Sequence, residues 1–103
     1  MDRRIYMCAR FEAKSEHREE LRTRLLEMVK LTNEEAGCLF YNLHLDAKND
    51  CVFYFLEGWE NKEAHALHEQ TPYIQAIIKD APVLTQGGIR LEVMSLISPK
   101  NKY

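Results

Sequence analysis

Residues 59–78 read WENKEAHALHEQTPYIQAII, and this stretch decides the expected fold. Trp59 closes a run of aromatic residues that alternates like a β-strand, and two short helical segments follow. Asn61 favours the start of the first helix, and Thr71 followed by Pro72 favours the start of the second. The stretch therefore places polar side chains beside a sheet edge, where we expect a small-molecule pocket.

Apolar and polar side chains alternate along four segments, which is the period of a β-strand. The predicted strands are residues 4–13, 38–46, 51–59 and 89–97. A helical pattern runs from about Glu16 to Glu35, with Ser15 as its cap and Gly37 as its stop. The segment 46–50 is polar and predicts a hairpin connection between the second and third strands.

Helical patterns also follow the third strand. Asn61 to Glu69 predicts one short helix, and a second begins at Pro72 and is expected to end at Pro82. Gly87 and Gly88 predict a break before the last strand.

The order strand, helix, strand, strand, helix, strand predicts an α+β fold, a ferredoxin-like βαββαβ antiparallel sheet with helices on one face. The uncovered face would present aromatic and aliphatic side chains to water, and such a patch usually marks an interface. We therefore expect a homodimer packed sheet to sheet. The length of 103 residues fits a single domain, assigned to residues 1–98 with a polar tail at 99–103.

Composition excludes several classes of protein. The chain carries 14 basic and 16 acidic residues, a net charge of -2, and so lacks the positive field that attracts nucleic acid. No apolar run is long enough for a membrane span or a signal peptide. Cys8, Cys38 and Cys51 show neither a disulfide nor a zinc spacing. A cytoplasmic location is the resulting expectation.

Three motifs spread along the chain carry a resemblance to a known family. They are Glu34-Glu35-Ala36-Gly37-Cys38-Leu39-x-Tyr41-x-Leu43-His44, Glu57-x-Trp59-Glu60-x-Lys62-Glu63-Ala64 and His68-x-x-Thr71-Pro72-Tyr73. Together they resemble the antibiotic biosynthesis monooxygenase domain over nearly the whole chain. The resemblance implies a dimeric α+β barrel. Members of that family include cofactor-free oxygenases of aromatic polyketides, quinol monooxygenases, haem-degrading enzymes and an isomerase of a phosphorylated signalling sugar.

The resemblance to the cofactor-free oxygenases implies five catalytic residues: His68, His44, Trp59, Tyr73 and Asn42. In such enzymes similar side chains bind and deprotonate a phenolic substrate, whose carbanion reduces dioxygen without metal or flavin. His68 is a candidate base because histidine titrates near neutral pH. His44 can face either the helix-covered cavity or the dimer interface. The predicted activity is a cofactor-independent monooxygenase reaction on a small aromatic, phenolic or quinol substrate.

Other readings stay open at this point. The haem-degrading branch is similar at Trp59, but Ala9 and Ile78 stand where that branch has asparagine and histidine. The isomerase branch needs cations for a phosphate, and only Lys62, Lys79 and Arg90 are near. A non-catalytic dimer that binds a small molecule is a third alternative.

The remaining histidines receive no role from the sequence. His17 and His65 are expected to face solvent. His65, His68 and Glu69 have a spacing that metal sites use, but no further strong ligand is identifiable, so we expect no metal.

Overall fold

The computed structural model describes residues 2–99 and contains one four-stranded sheet with three helices. Among these residues, no helix has the length and apolar character needed to cross a membrane. A single 3-10 turn, Ser15–His17, precedes the first helix. The elements are β1 (Ile5–Ala13), α1 (Arg18–Thr32), β2 (Cys38–Leu45), β3 (Val52–Trp59), α2 (Lys62–Glu69), α3 (Pro72–Leu84) and β4 (Thr85–Met94).

The sheet has the strand order β2-β3-β1-β4, and all neighbouring strands are antiparallel. In the centre of the sheet, Ala9 of β1 lies opposite Phe55 of β3 on one side and Leu91 of β4 on the other. The order and directions are those of the ferredoxin-like α+β fold predicted from the sequence, which is confirmed. Each of the first three predicted strands is correct to within one residue at either end.

The core lies between the helices and one face of the sheet, because odd-numbered residues of β1 and β3 all point to that side. Tyr41 of β2 stacks on Phe55 of β3 with ring centroids 4.3 Å apart. Each large apolar side chain buried here contributes about 1.5–3 kcal/mol. The most deeply buried members are Trp59, Tyr41, Phe53, Phe55, Leu21, Leu25 and Ile77.

No helix of the described residues lies over the opposite face of the sheet, and we call it the open face. Phe40 of β2 and Tyr6 of β1 stack there with ring centroids 6.1 Å apart. Gly58 of β3 lies beneath them, and a Cβ atom at this position would come within 2.5 Å of the Phe40 ring. A side chain at residue 58 would therefore push the aromatic pair away from the sheet.

The ends of α1 differ from the prediction. Ser15 is not the cap of α1, because it begins the 3-10 turn and His17 holds the cap position of the helix. The helix ends at Thr32, before the predicted Glu35. Asn33 causes this early end: its side-chain amide donates to Val29 O at 2.9 Å and to Tyr41 O at 3.2 Å. These bonds turn the chain toward β2.

Pro82 does not end α3, which continues to Leu84. A proline in the last turn forfeits one backbone hydrogen bond, and other bonds hold the turn in place. The Thr85 hydroxyl donates to Ala81 O at 2.6 Å, and the Lys14 amide donates to Leu84 O at 3.0 Å. The prediction that Pro82 stops the helix was therefore wrong.

The last strand also differs from the prediction, since β4 begins at Thr85 and ends at Met94. Gly87 and Gly88 have φ values of +81° and +74° and form a bulge within the strand. The pairing of β1 with β4 shifts register between Phe11 and Ala13 at this bulge. The two glycines therefore bend the strand and do not break it. Of the predicted polar tail, residues 100–103 lie outside the described part of the chain.

Candidate active site

A cavity of about 80 Å³ lies between α2, α3 and the helix-covered face of the sheet. Most of its lining is apolar, with Ile74 and Ile77 of α3 facing Ala9 of β1. Half-exposed Ile78 and Leu91 border its mouth. An apolar cavity of about 150 Å³ holds benzene, so one ring of an aromatic substrate would fill this one and any further rings would extend through its mouth. The polar lining consists of Tyr41, Glu57, His65, His68 and Glu69.

His68 is held at the cavity wall by a carboxylate. Its Nδ1 lies 2.9 Å from Oε2 and 3.2 Å from Oε1 of Glu35, which is in the turn between α1 and β2. A carboxylate only accepts hydrogen bonds, so Nδ1 carries the proton of the neutral ring and Nε2 keeps its lone pair. The Nε2 atom has no hydrogen-bond partner among residues 2–99. This is the arrangement of a histidine oriented as a base.

The backbone around His68 explains its position. Asn61 caps α2, because its side chain accepts from the Ala64 amide at 2.8 Å, as predicted from the sequence. At the other end, the Thr71 hydroxyl donates to His68 O at 2.8 Å and not to the first turn of α3. Both ends of α2 are therefore fixed, and His68 is only 3% exposed.

Tyr73 contacts the same carboxylate, that of Glu35. Its hydroxyl donates to Oε2 of Glu35, the oxygen that is also nearest to His68. Burial and then the charge of Glu35 raise the pKa of Tyr73 to about 12, so the hydroxyl stays protonated. Tyr73 does not line the cavity. Tyr73, one of the five predicted catalytic residues, therefore contacts Glu35 and lies outside the cavity lining.

Trp59 forms the wall behind His68. It is fully buried, with its ring centroid 4.7 Å from that of His68. Glu57 and Trp59 are two residues apart on β3, so their side chains lie on the same face of the sheet. The indole N–H of Trp59 donates to Oε1 of Glu57 at 3.0 Å. The indole N–H of this predicted catalytic residue is therefore bonded within the protein.

Glu57 is a buried carboxyl at the sheet side of the cavity, with 4% of its surface exposed. Burial raises its pKa to about 7; the Trp59 bond opposes this shift, and the negative charges of Glu69 and Glu35 add to it. The second oxygen of Glu57 makes no hydrogen bond to any residue from 2 to 99. A carboxyl oxygen of Glu57 thus faces the cavity that His68 also lines.

His65 is buried, which corrects the prediction that it faces solvent. It is 9% exposed, and its ring centroid lies 5.6 Å from that of Trp59 and 5.7 Å from that of His68. Burial lowers its pKa; the proximity of His68 adds to this, while Glu69, with Oε1 3.7 Å from Nδ1, opposes it. His65 lies three residues before His68 on one helix face, which is why both reach the cavity.

Asn42 and His44 lie apart from the other predicted residues. Their register partners are Leu56 and Tyr54, and they alternate with Tyr41, which faces the helices. Both side chains therefore belong to the open face and are exposed there. His68, Trp59 and Tyr73 are brought together by the fold, whereas Asn42 and His44 are separated from them by the sheet.

Tyr41 is a cavity residue that the site prediction omitted. It is 2% exposed, and its ring centroid lies 5.4 Å from that of His68. Its hydroxyl makes no hydrogen bond to residues 2–99. Burial, followed by the charge of Glu57, raises the pKa of Tyr41 far above its usual range. It is thus a neutral donor that faces the cavity.

A signal for Glu57 was present in the sequence. It alternates with Phe55 and Trp59 along the buried face of β3, and a carboxylate at such a position is unusual. No comparable signal exists for Glu35, because its contact with His68 spans 33 residues of sequence.

The residues around the cavity help to distinguish the alternative functions. Among residues 2–99 no lysine or arginine lines it, and Lys62, Lys79 and Arg90 all lie outside the lining. Within residues 2–99, no group of three or more histidine, cysteine or acidic residues has the geometry of a metal site. Ala9 lies in the lining, where the haem-degrading branch would have asparagine. A phosphate group would meet carboxyl groups and no cation.

The fold is shared with solved structures. The protein Rv0793 of Mycobacterium tuberculosis is 21% identical, with 95% of this chain and 99% of that chain covered and a TM-score of 0.88. PA3566 of Pseudomonas aeruginosa is 26% identical, with 95% and 98% covered and a TM-score of 0.87.

Sequence comparison gives a relative and a family. An uncharacterized protein of Synechocystis, sll1783, is 29% identical over 92 residues, which are 89% of this chain. The chain covers 63% of that relative, less than two thirds of its length. The model of the antibiotic biosynthesis monooxygenase family matches residues 4–80. Because this match spans most of the chain, the protein belongs to the antibiotic biosynthesis monooxygenase family.

Proposed function

We propose that the chain is a cofactor-independent monooxygenase that oxidises a small, uncharged phenol or quinol with dioxygen. One observation carries this proposal: Nδ1 of His68 is held by Glu35, while Nε2 is unbound at the wall of an apolar cavity. Such a histidine is positioned to remove a proton from a bound substrate.

The Glu35–His68 pair supplies the base. Glu35 fixes the ring and its tautomer, and it stabilises the imidazolium that forms when Nε2 takes up a proton. The hydroxyl of Tyr73 keeps the carboxylate in place. Neither residue needs to touch the substrate for this role, so they are positioning residues and His68 is the catalytic one.

Tyr41 is the proposed donor to the substrate oxygen. Negative charge develops on that oxygen during deprotonation, and a preorganised hydroxyl in a dry cavity stabilises it. The resulting anion is electron-rich and can transfer electrons to dioxygen directly. The apolar lining of the cavity excludes water that would otherwise protonate the intermediate.

The charges of the lining favour uncharged substrates. Glu69 and the carboxyl group of Glu57 face the cavity, and a carboxylate or phosphate on the substrate would lie beside Glu69 without a lysine or arginine to compensate the charge. This observation disfavours the sugar-phosphate isomerase reading. The remaining candidate substrates are small aromatic molecules whose hydroxyl groups are neutral until His68 removes a proton.

We also propose that two copies pack through their open faces. Leu56 and Met94 are 41% and 45% exposed there, beside the Tyr6–Phe40 pair. A second copy would cover this apolar surface.

A cytoplasmic location belongs to the same proposal, and the three cysteines are free thiols as a reducing compartment would keep them.

Dioxygen uptake tests the proposed activity. Reduced quinols and anthrones are supplied without flavin and with a metal chelator, and uptake is compared between wild type, His68→Ala and the control His17→Ala, a histidine outside the cavity lining. We expect uptake by wild type and by the control, and its loss in His68→Ala. Ligand-induced thermal stabilisation without uptake across the panel would instead indicate a binding protein.

A further inference from the structure

Glu57 is an ionisable group that the proposed base mechanism leaves unused. In the sheet it lies between Met7 of β1 and Tyr41 of β2, and it points into the cavity. Among residues 2–99 its carboxyl has one partner, the indole N–H of Trp59, and no lysine or arginine. A buried carboxylate without a cation is costly, so the group is held in its protonated form.

The groups around Glu57 also favour its protonated form. The groups that face it are neutral or acidic apart from the two histidines of α2, and β1 contributes only Met7 at this level. Glu69 and Glu35 make its ionisation less favourable, in addition to burial. The titratable neighbours are Tyr41 and Cys38 from β2, His65, His68 and Glu69 from α2, and Glu35 from the turn between α1 and β2.

We propose that Glu57 is a second catalytic residue, whose protonated carboxyl donates a proton to the peroxide formed when dioxygen adds to the substrate carbanion. This inference rests on the proposed function and assigns the acid that the reaction requires. In this mechanism His68 removes the first proton from the substrate, and Glu57 protonates the oxygen adduct.

The proton balance closes for a phenol whose keto tautomer carries a CH₂ group, as in an anthrone, since both tautomers give the same anion. His68 takes the first C–H proton, and the carbanion electron pair reduces dioxygen to a bound peroxide. Glu57 protonates the outer oxygen. The Glu57 carboxylate then takes the second C–H proton, the C–H electron pair forms the ketone C=O bond, and the O–O bond breaks. The leaving hydroxide receives the proton from His68. Ketone and water leave, and both residues return to their starting states.

A purely structural role for Glu57 would be to hold Trp59. The variant Glu57→Gln separates the two roles, because its amide oxygen still accepts from the indole N–H but the side chain has no acidic proton. Glu60→Gln, an exposed position next to Trp59, is the matched control.

The test is a single turnover of anthrone with limiting dioxygen, quenched at intervals and assayed for peroxide and ketone. We expect Glu57→Gln to form the peroxide but to convert it to ketone about 10²-fold more slowly than wild type and Glu60→Gln. In wild type, the conversion should also slow as the pH rises through the pKa of Glu57, about 7, and the variant should lack this dependence. Equal conversion rates would overturn the inference.

An infrared measurement on unmodified protein keeps the inference testable if the variant fails to fold. At about pH 6 ordinary carboxyl groups are ionised, so a buried protonated carboxyl is visible as a C=O stretch. We expect this band in wild type and its disappearance at alkaline pH; its absence would refute the protonated state. Wild type that takes up no dioxygen would refute the proposed function and this inference together. Turnover with an unaltered Glu57→Gln profile would refute only the role of Glu57.

Discussion

The imidazole of His68 and the carboxylate of Glu35 form a close pair, with Nδ1 2.9 Å from Oε2 and 3.2 Å from Oε1. The pair joins a helix to a turn that lies 33 residues earlier in the chain. Its effect is to leave one nitrogen of the ring unbound at the cavity. The pair therefore determines which atom of His68 can act as a base.

Glu35→Gln tests this pair. An amide in place of the carboxylate cannot stabilise the imidazolium, so we expect kcat for quinol or anthrone oxidation to fall on the order of 10²-fold with little change in KM. The neighbouring exposed position provides the control Glu34→Gln, which should keep wild-type kinetics. A variant Glu35→Gln with full kcat would show that the pair has no role in turnover.

The pH dependence of stability tests the protonated state of Glu57. Its pKa is raised from 4.5 to about 7, so the folded state binds more protons than the unfolded state between these values. Its contribution to stability is therefore fully present below about pH 4.5 and is lost as the pH rises through about 7. The shift corresponds to about 3 kcal/mol. Urea unfolding should show wild type losing about this much relative to Glu57→Gln between acidic and mildly alkaline pH. A constant difference would contradict the raised pKa.

Gly37 offers a test of the turn that carries Glu35. Its φ of +83° disfavours any side chain, and a Cβ atom would lie 2.5 Å from Ala64 Cβ in α2. We expect Gly37→Ala to reduce the free energy of unfolding by about 3 kcal/mol, combining backbone strain and overpacking. Gly87→Ala is a matched control, since its φ is +81° but no atom lies within 4 Å of the added Cβ. It should cost about 1 kcal/mol, the strain alone. Equal costs in urea unfolding would refute the contact with Ala64.

The proposed dimer is tested on the open face. Leu56→Asp places a charge on the surface that the second copy would cover, and we expect it to shift the protein to monomers in sedimentation at micromolar concentration. Leu67 of α2 is 71% exposed on the helix side, so Leu67→Asp should leave the dimer intact. A wild-type protein that sediments as a monomer would contradict the proposal directly.

The strands were predictable because alternation is a local property of the sequence. Phe53, Phe55 and Trp59 share one face of β3 by parity alone, and the structure has them there. Parity also groups Asn42 with His44, but it does not say which face of β2 the helices cover. The two residues were therefore assigned to the site although the sheet separates them from His68.

Contacts between distant segments were not predictable from periodicity. Glu35 lies outside any regular element, so no pattern connects it with His68 or Tyr73. The extent of β4 depends on the bulge at Gly87 and Gly88, whose positive φ values bend the strand while β1 continues beside it. In each case the outcome depends on pairing across the molecule, which a local pattern does not contain.

Trp59 is the only tryptophan in the chain, and its indole contacts Glu57 on one side and lies against the rings of His65 and His68 on the other. Its fluorescence therefore originates directly behind His65, His68 and Glu57, three residues that line the cavity. Protonation of either imidazole or of the carboxyl changes the charge beside the emitting ring. The fluorescence emission of Trp59 can therefore report ligand binding and changes of protonation in the cavity without an added label.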